Sequence, residues 1–300
     1  MQLMKYGKFI LKYALLAVAA FGFVACEDDE PSSESIFSED TTLMSDFDAW
    51  LMRHYVEPFN IRFEYRMPDR ETNFGYWVSP PPVHKAIEIA KSIKFGTIDT
   101  MIEMMSYGVP GEDPTLFVKT YFPKALFIVG NNEISNTGSV VLGSAENGLK
   151  INIFGAKYFD RENPGSVIGL LLHEFTHILD GTYPVPSEFR QITPNDYVGS
   201  RYTSLGNDFL EKGFVSNYGR SSVAEDIAEI GGRAVSSTDE EWEELFRRAG
   251  EEGGAKLRQK RQIVRDWLMN SFGVDADRWV QIYQRRMNEL KTIDWDNLED

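Results

Sequence analysis

Apolar side chains recur every three to four residues at Met44, Phe47, Trp50, Leu51 and Tyr55, which predicts a helix over residues 44–56. Directly afterwards Phe59, Ile61, Phe63 and Tyr65 alternate with polar neighbours, the period of a half-buried strand. Pro80, Pro81 and Pro82 break the chain ahead of a helical stretch from Val83 to about Ile93. Lys124 to Val129 reads as a buried strand. Val140-Val141-Leu142 and Leu149 to Phe154 flank the turn residues Glu146-Asn147-Gly148, which predicts a hairpin. Pro164 and Gly165 then open a helix whose apolar run spans Val167 to Leu179. Residues 182–201 are rich in Pro, Tyr, Ser and Asn and read as loop, and Ser222 to Ile230 as a further helix. The rest is charged and mostly helical, with apolar positions that include Leu245, Phe246, Val264, Trp267, Trp279 and Ile282. Strands first and helices later predict an α+β fold with a small mixed or antiparallel sheet and a mostly helical C-terminal half.

Composition changes this picture chiefly at the N-terminus. Lys5, Lys8 and Lys12 precede an apolar run from Tyr13 to Ala25, too short to span a bilayer, and Cys26 follows as the single cysteine of 300 residues. Phe23-Val24-Ala25-Cys26 resembles the lipobox of bacterial lipoproteins, with Phe23 where leucine is usual. The resemblance implies that residues 1–25 are a cleaved signal peptide and that Cys26 carries lipid. One cysteine allows no intrachain disulfide, so the stability of an exported domain must come from its core. Residues 26–43 are acidic and Ser-rich and read as a tether, leaving 44–300 as the folded domain. The acidic run Glu27-Asp28-Asp29-Glu30 resembles the surface-export signals of some Gram-negative lipoproteins. Loss of residues 1–25 removes three lysines and no acid, taking the formal charge from −15 to −18. Such an excess repels phosphate backbones and argues against a nucleic-acid partner.

The chemistry is concentrated in His173-Glu174-Phe175-Thr176-His177, inside the apolar helix. Histidines four apart on a helix lie about 40° apart around the axis, so both rings can reach one zinc ion. Glu174 then stands beside the metal, where a general base for a bound water is needed. The run points to a zinc hydrolase of the peptidase kind with one Zn²⁺ per chain. A third protein ligand is required. The extended pattern HExxHxxGxxH is excluded, because Asp180 and Tyr183 stand where its glycine and last histidine would be. His54 and His84 lie far upstream in amphipathic segments and read as ordinary surface or core histidines. The best third ligand is in Glu225-Asp226-Ile227-Ala228-Glu229, where acids sit among Val223, Ala224, Ile227, Ala228 and Ile230. Glu225 and Glu229 share a face, so Glu225 is expected to ligate zinc while Glu229 orients a histidine.

His173 to His177, with Tyr218-Gly219-Arg220 and Glu225 to Glu229, resembles the gluzincin pattern of lethal-factor-type zinc peptidases. That resemblance implies a zincin-like domain in which Tyr218, seven residues before Glu225, steadies the oxyanion. Arg220 reads equally as a binder of a substrate carboxylate or as partner to a local acid. The chain as a whole is more similar to a family of zinc-binding metallopeptidase lipoproteins of Gram-negative bacteria, often associated with glycan-uptake systems. The likeness runs from the lipobox through Phe47-Asp48-Ala49-Trp50, Phe122-Pro123-Lys124 and Leu142-Gly143-Ser144-Ala145-Glu146 to the metal helix and Glu225. One departure is Asp180, where many members carry a histidine; it is expected, with Glu229, among the groups that support the metal ligands. What the resemblance implies is an outer-membrane-anchored protein that cuts protein or peptide substrates, associated with glycan-uptake machinery. An edge strand beside the metal helix commonly holds the substrate backbone in such peptidases, and the 140–154 hairpin is the candidate. The competing expectation is an accessory or binding lipoprotein that keeps the zinc site without turnover. Hydrolysis of a non-peptide amide is a third.

Overall fold

The computed structural model describes residues 44–66, 79–108, 110–134, 140–141, 143–146 and 148–299. The expected signal peptide, Cys26 and the tether lie outside these residues. Ser45 caps the first helix, Asp46–Leu51, with a reciprocal pair of bonds: its Oγ accepts from Asp48 N and Asp48 Oδ2 accepts from Ser45 N. A π turn, Met52–Val56, and a last turn, Glu57–Phe59, continue it until Asn60 adopts a left-handed φ of 53°. That reversal leaves strand β1 only Arg62–Glu64, although Phe59, Ile61, Phe63 and Tyr65 are all buried as the alternation predicts. The helix predicted from Val83 is Val83–Ile93, continued by a π turn and by Asp99–Ser106.

Strand β2 is Ala125–Ile128, β3 Glu133–Ile134, β4 Val140–Val141, β5 Gly143–Glu146 and β6 Lys150–Ile153. The main sheet runs β1-β2-β6-β5, parallel from β1 to β2 to β6 and antiparallel between β6 and β5. The predicted hairpin exists, but its first strand is Gly143–Glu146, with Gly143 opposite Ile153. Val140–Val141 instead pair with Glu133–Ile134 in a separate two-stranded sheet. Glycine suits position 143, because a Cβ there would stand 2.9 Å from the backbone O of Asn152 and 2.5 Å from the Leu170 side chain on the helix that crosses the sheet. The edge of the sheet therefore lies close against that helix.

The crossing helix, Gly165–Thr182, carries both site histidines and is called the histidine helix below. Its stripe of Ile168, Leu171, Leu172, Phe175 and Leu179 is buried at helical spacing. Phe175 meets Phe117 edge-on at 5.7 Å and Phe122 at 5.8 Å, and Phe117 in turn contacts Phe272 and Trp279. The remaining major elements are helical: Val223–Ala234, Asp239–Phe272 and Ala276–Glu289. The helix Asp239–Phe272 bends at Gly250, whose φ of 73° lies outside the helical range. Among the described residues, no helix is long and apolar enough to cross a membrane.

Candidate metal centre

Burial of the Phe175 stripe turns His173 and His177 toward the neighbouring helix Val223–Ala234, the carboxylate helix. His173 Nε2 lies 3.1 Å and His177 Nε2 3.2 Å from the same oxygen, Oε2 of Glu225, which is 52 and 48 positions further along the chain. The three donor atoms fall within 4.8 Å of one another. Bonds of about 2.1 Å in a tetrahedral zinc site put neighbouring donors about 3.4 Å apart, so this set fits zinc with little adjustment. Glu229 Oε1 stands 3.4 Å from Nδ1 of His173, where it can hold that N–H and leave Nε2 for a metal.

Two local devices bring the acid to the rings. Ser222 is the N-cap of the carboxylate helix, and its Oγ accepts from the backbone N–H of Glu225 at 3.2 Å, which orients the first turn. At the helix crossing, a Cβ on Gly231 would stand 2.4 Å from the buried Thr176 and one on Gly232 3.3 Å from His173 N. Thr176 cannot swing aside cheaply, since its Oγ1 donates to Leu172 O at 2.7 Å. Two glycines in the last turn of the helix, ordinarily unfavourable inside one, are thus what lets the two helices approach. Neither device was read from the sequence. The signals were there as Ser222-Val223-Ala224-Glu225, a capping spacing, and as the pair Gly231-Gly232.

Glu174 is buried, 8 % exposed, yet lines a cleft of about 790 Å³ with His177, Glu225 and Tyr218. Gly143 and Ser144 of β5 form one wall of the cleft, and Leu149 and Ile178 line it as well. The Tyr218 ring stacks on His173 at 6.0 Å and 28°. Burial, then the neighbouring Glu225 carboxylate, holds the Tyr218 hydroxyl's pKa well above the usual tyrosine value, so it keeps its proton and remains a donor. Arg220 faces away from the cleft: its Nη1 donates to Asp208 Oδ1 at 2.8 Å, so of its two readings the structure favours the local acid. Asp180 accepts from Val185 N at 2.7 Å and so ties the end of the histidine helix to the loop that follows. His84 is exposed and His54 stacks on Trp50 at 4.4 Å.

Burial disfavours a charged His173, but the carboxylates of Glu225 and Glu229 outweigh it and lift its pKa to about 9. The bonds from His173 and His177 likewise overcome burial at Glu225 and bring it down to about 2. When no metal is bound, these shifts favour a proton on His173 near neutral pH. The stabilisation from a raised histidine is complete below about pH 6.5 and is lost as pH rises through about 9. That from Glu225 is complete above about 4.5 and is lost as pH falls toward 2. Chelated protein is thus expected to lose up to about 3 kcal/mol between pH 6.5 and 9, a fall of roughly 5–10 °C in Tm. Zinc-loaded protein, in which His173 would bind as the neutral ring, should show no such fall. Thermal scans across that pH range with and without chelator make the comparison, and a flat apo curve would contradict the His173–Glu225 contact.

The model of a protein family described as "Putative zinc-binding metallo-peptidase" matches residues 40–277 of this chain. The fold is similar to the crystal structure of a protein from Bacteroides caccae that bears the same description, at 26 % identity and a TM-score of 0.70. That alignment covers 88 % of this chain and 100 % of the other. No curated protein matches.

Proposed function

The chain belongs to this family of zinc-binding metallo-peptidases, and on that premise we propose that it hydrolyses peptide bonds as a gluzincin-type endopeptidase, with one zinc per chain held by His173, His177 and Glu225. The observation that carries the reading is the meeting of His177 and Glu225 with Glu174 and Tyr218 in a single cleft, with His173 Nε2 3.1 Å from the same Glu225 oxygen. When bound, the metal would lower the pKa of a water and polarise the scissile carbonyl.

The rest of the chemistry belongs to the chain's own side chains. A carboxylate of Glu174 takes the proton of the attacking water and passes it to the leaving amine. Its burial keeps bulk water from competing for that proton. Tyr218 donates its O–H to the oxyanion that develops as the carbonyl carbon becomes tetrahedral. Glu229 keeps the His173 ring in the tautomer that presents Nε2. Gly143 and Ser144 belong to β5, the edge strand of the sheet among the described residues, and an extended substrate can add to it by main-chain hydrogen bonds.

Tyr218→Phe is expected to lower kcat about 10²- to 10³-fold with zinc content unchanged, the range found when one oxyanion donor is removed. Stopped assays on a fluorogenic peptide, alongside metal analysis, provide the check. Activity within threefold of wild type would take Tyr218 out of the reaction. The reading as a whole is tested with a peptide library and casein. Internal cleavage that chelator stops and zinc restores supports an endopeptidase, trimming from the termini an exopeptidase. Intact substrates with stoichiometric zinc would leave an accessory protein. The proposal includes export and lipid anchoring through Cys26 to the outer membrane, in association with glycan-uptake machinery. Fractionation of cells expressing wild type and Cys26→Ala tests the anchor.

A further inference from the structure

Lys260 is fully buried, 0 % exposed, in the half of the long helix Asp239–Phe272 that follows the Gly250 bend. Its Nζ lies 2.6 Å from Oδ2 of Asp226, itself 0 % exposed, and donates to Gly213 O at 2.8 Å. Tyr197 donates its hydroxyl to the same Asp226 oxygen at 2.8 Å, and the ammonium sits 3.9 Å from the centre of the Phe214 ring. Lysine is among the residues least often enclosed, and taking both charges out of water is costly. Apolar side chains of the same volume would satisfy the core at least as well. The pair therefore calls for an explanation other than stability.

Its connections supply one. Asp226 follows Glu225 in the first turn of the carboxylate helix, so the backbone of one cannot shift without the other. Gly213 lies five residues before Tyr218, in the loop that delivers it to the cleft. The same half-helix approaches that loop again where a Cβ on Gly253 would stand 2.2 Å from Leu210 O, and Trp267 Nε1 donates to Tyr183 O at 2.7 Å beyond the histidine helix. Resting on the metal-site reading above, we infer that Lys260 is a positioning residue: it ties the Glu225 helix and the Tyr218 loop to one buried anchor and so sets where both groups meet the histidines. Unlike a hydrophobic contact, an ion pair reinforced by a tyrosine hydroxyl has one preferred geometry, and it is this directional constraint that the anchor adds.

The test replaces the cluster by apolar groups so that no charge is stranded: Tyr197→Phe, Asp226→Leu and Lys260→Met together in the full mature chain. Co²⁺ is the probe, because its visible absorption reports ligand geometry without any turnover. The expected result is an unchanged or higher Tm, Co²⁺ affinity weaker by about 10- to 100-fold, as for other groups that orient metal ligands, and a displaced absorption band. A folded triple variant whose Co²⁺ affinity and spectrum match wild type would overturn the inference and leave the metal site standing. If the triple variant does not fold, Tyr197→Phe alone decides, with a several-fold loss of Co²⁺ affinity supporting the anchor and no loss overturning it. Wild-type protein that takes up no Co²⁺ would overturn the metal reading, and this inference with it.

Discussion

Glu174→Gln is expected to lower kcat by roughly 10²- to 10⁴-fold, the range ascribed to a positioned general base, while the protein still holds one zinc. Glutamine has nearly the volume of glutamate and keeps one acceptor oxygen, so the packing around this 8 % exposed side chain survives. What it lacks is an oxygen able to take and return a proton near neutral pH. None of the three donor atoms belongs to residue 174, so the metal should stay. A variant that is folded, metallated and inactive separates proton transfer from metal binding and from stability. Substrate binding need not change, which makes the loss one of kcat rather than KM. Metal analysis and steady-state kinetics on the same preparation provide the measurement. Hydrolysis near the wild-type rate would remove Glu174 from its role as base.

Glu225→Ala is expected to act on the other half of the site, weakening zinc binding by at least about 10²-fold, above the range seen when only a supporting group is removed. Oε2 of Glu225 is the atom on which both histidines converge, at 3.1 and 3.2 Å, so alanine leaves two ligands where a catalytic site needs three. The same change removes the nearest acceptor from His173, whose pKa should then fall from about 9 toward that of an ordinary histidine. Two readouts therefore move together. Zinc competition against a chromogenic chelator should show the weaker affinity, and the pH-dependent fall in apo-protein Tm should flatten. Full zinc retention in this variant would place the third ligand elsewhere. Asp226, next in the chain, is no substitute, because its Oδ2 is already engaged by Lys260 and Tyr197 in the interior.

Much of the architecture was legible because it is written at short range. The stripe from Ile168 to Leu179 and the helix at Val83–Ile93 each follow from a 3.6-residue period with a proline breaker ahead of it, and the helix after Ser222 from its apolar positions alone. Where the reading of β-structure slipped, packing decided. Val140–Val141 look more like a strand than Gly143–Glu146 does, yet the latter forms the sheet edge. A glycine there admits the histidine helix, and an edge lining a cleft has little reason to be greasy.

The site divides along the same line. By itself the sequence determined that His173 and His177 share a face with Glu174 beside them, and that Glu225 and Glu229 share another, since helix geometry alone sets those angles. Only the tertiary structure decided that the two faces meet at one point, that Arg220 turns to Asp208, and that Lys260 is buried against Asp226. Contacts across 12 to 52 residues depend on loop closure and on how closely elements can pack, which at the metal centre turns on Gly231 and Gly232. Neither leaves a periodic trace, because a side chain's spacing along the chain says which way it points and not what it will find there.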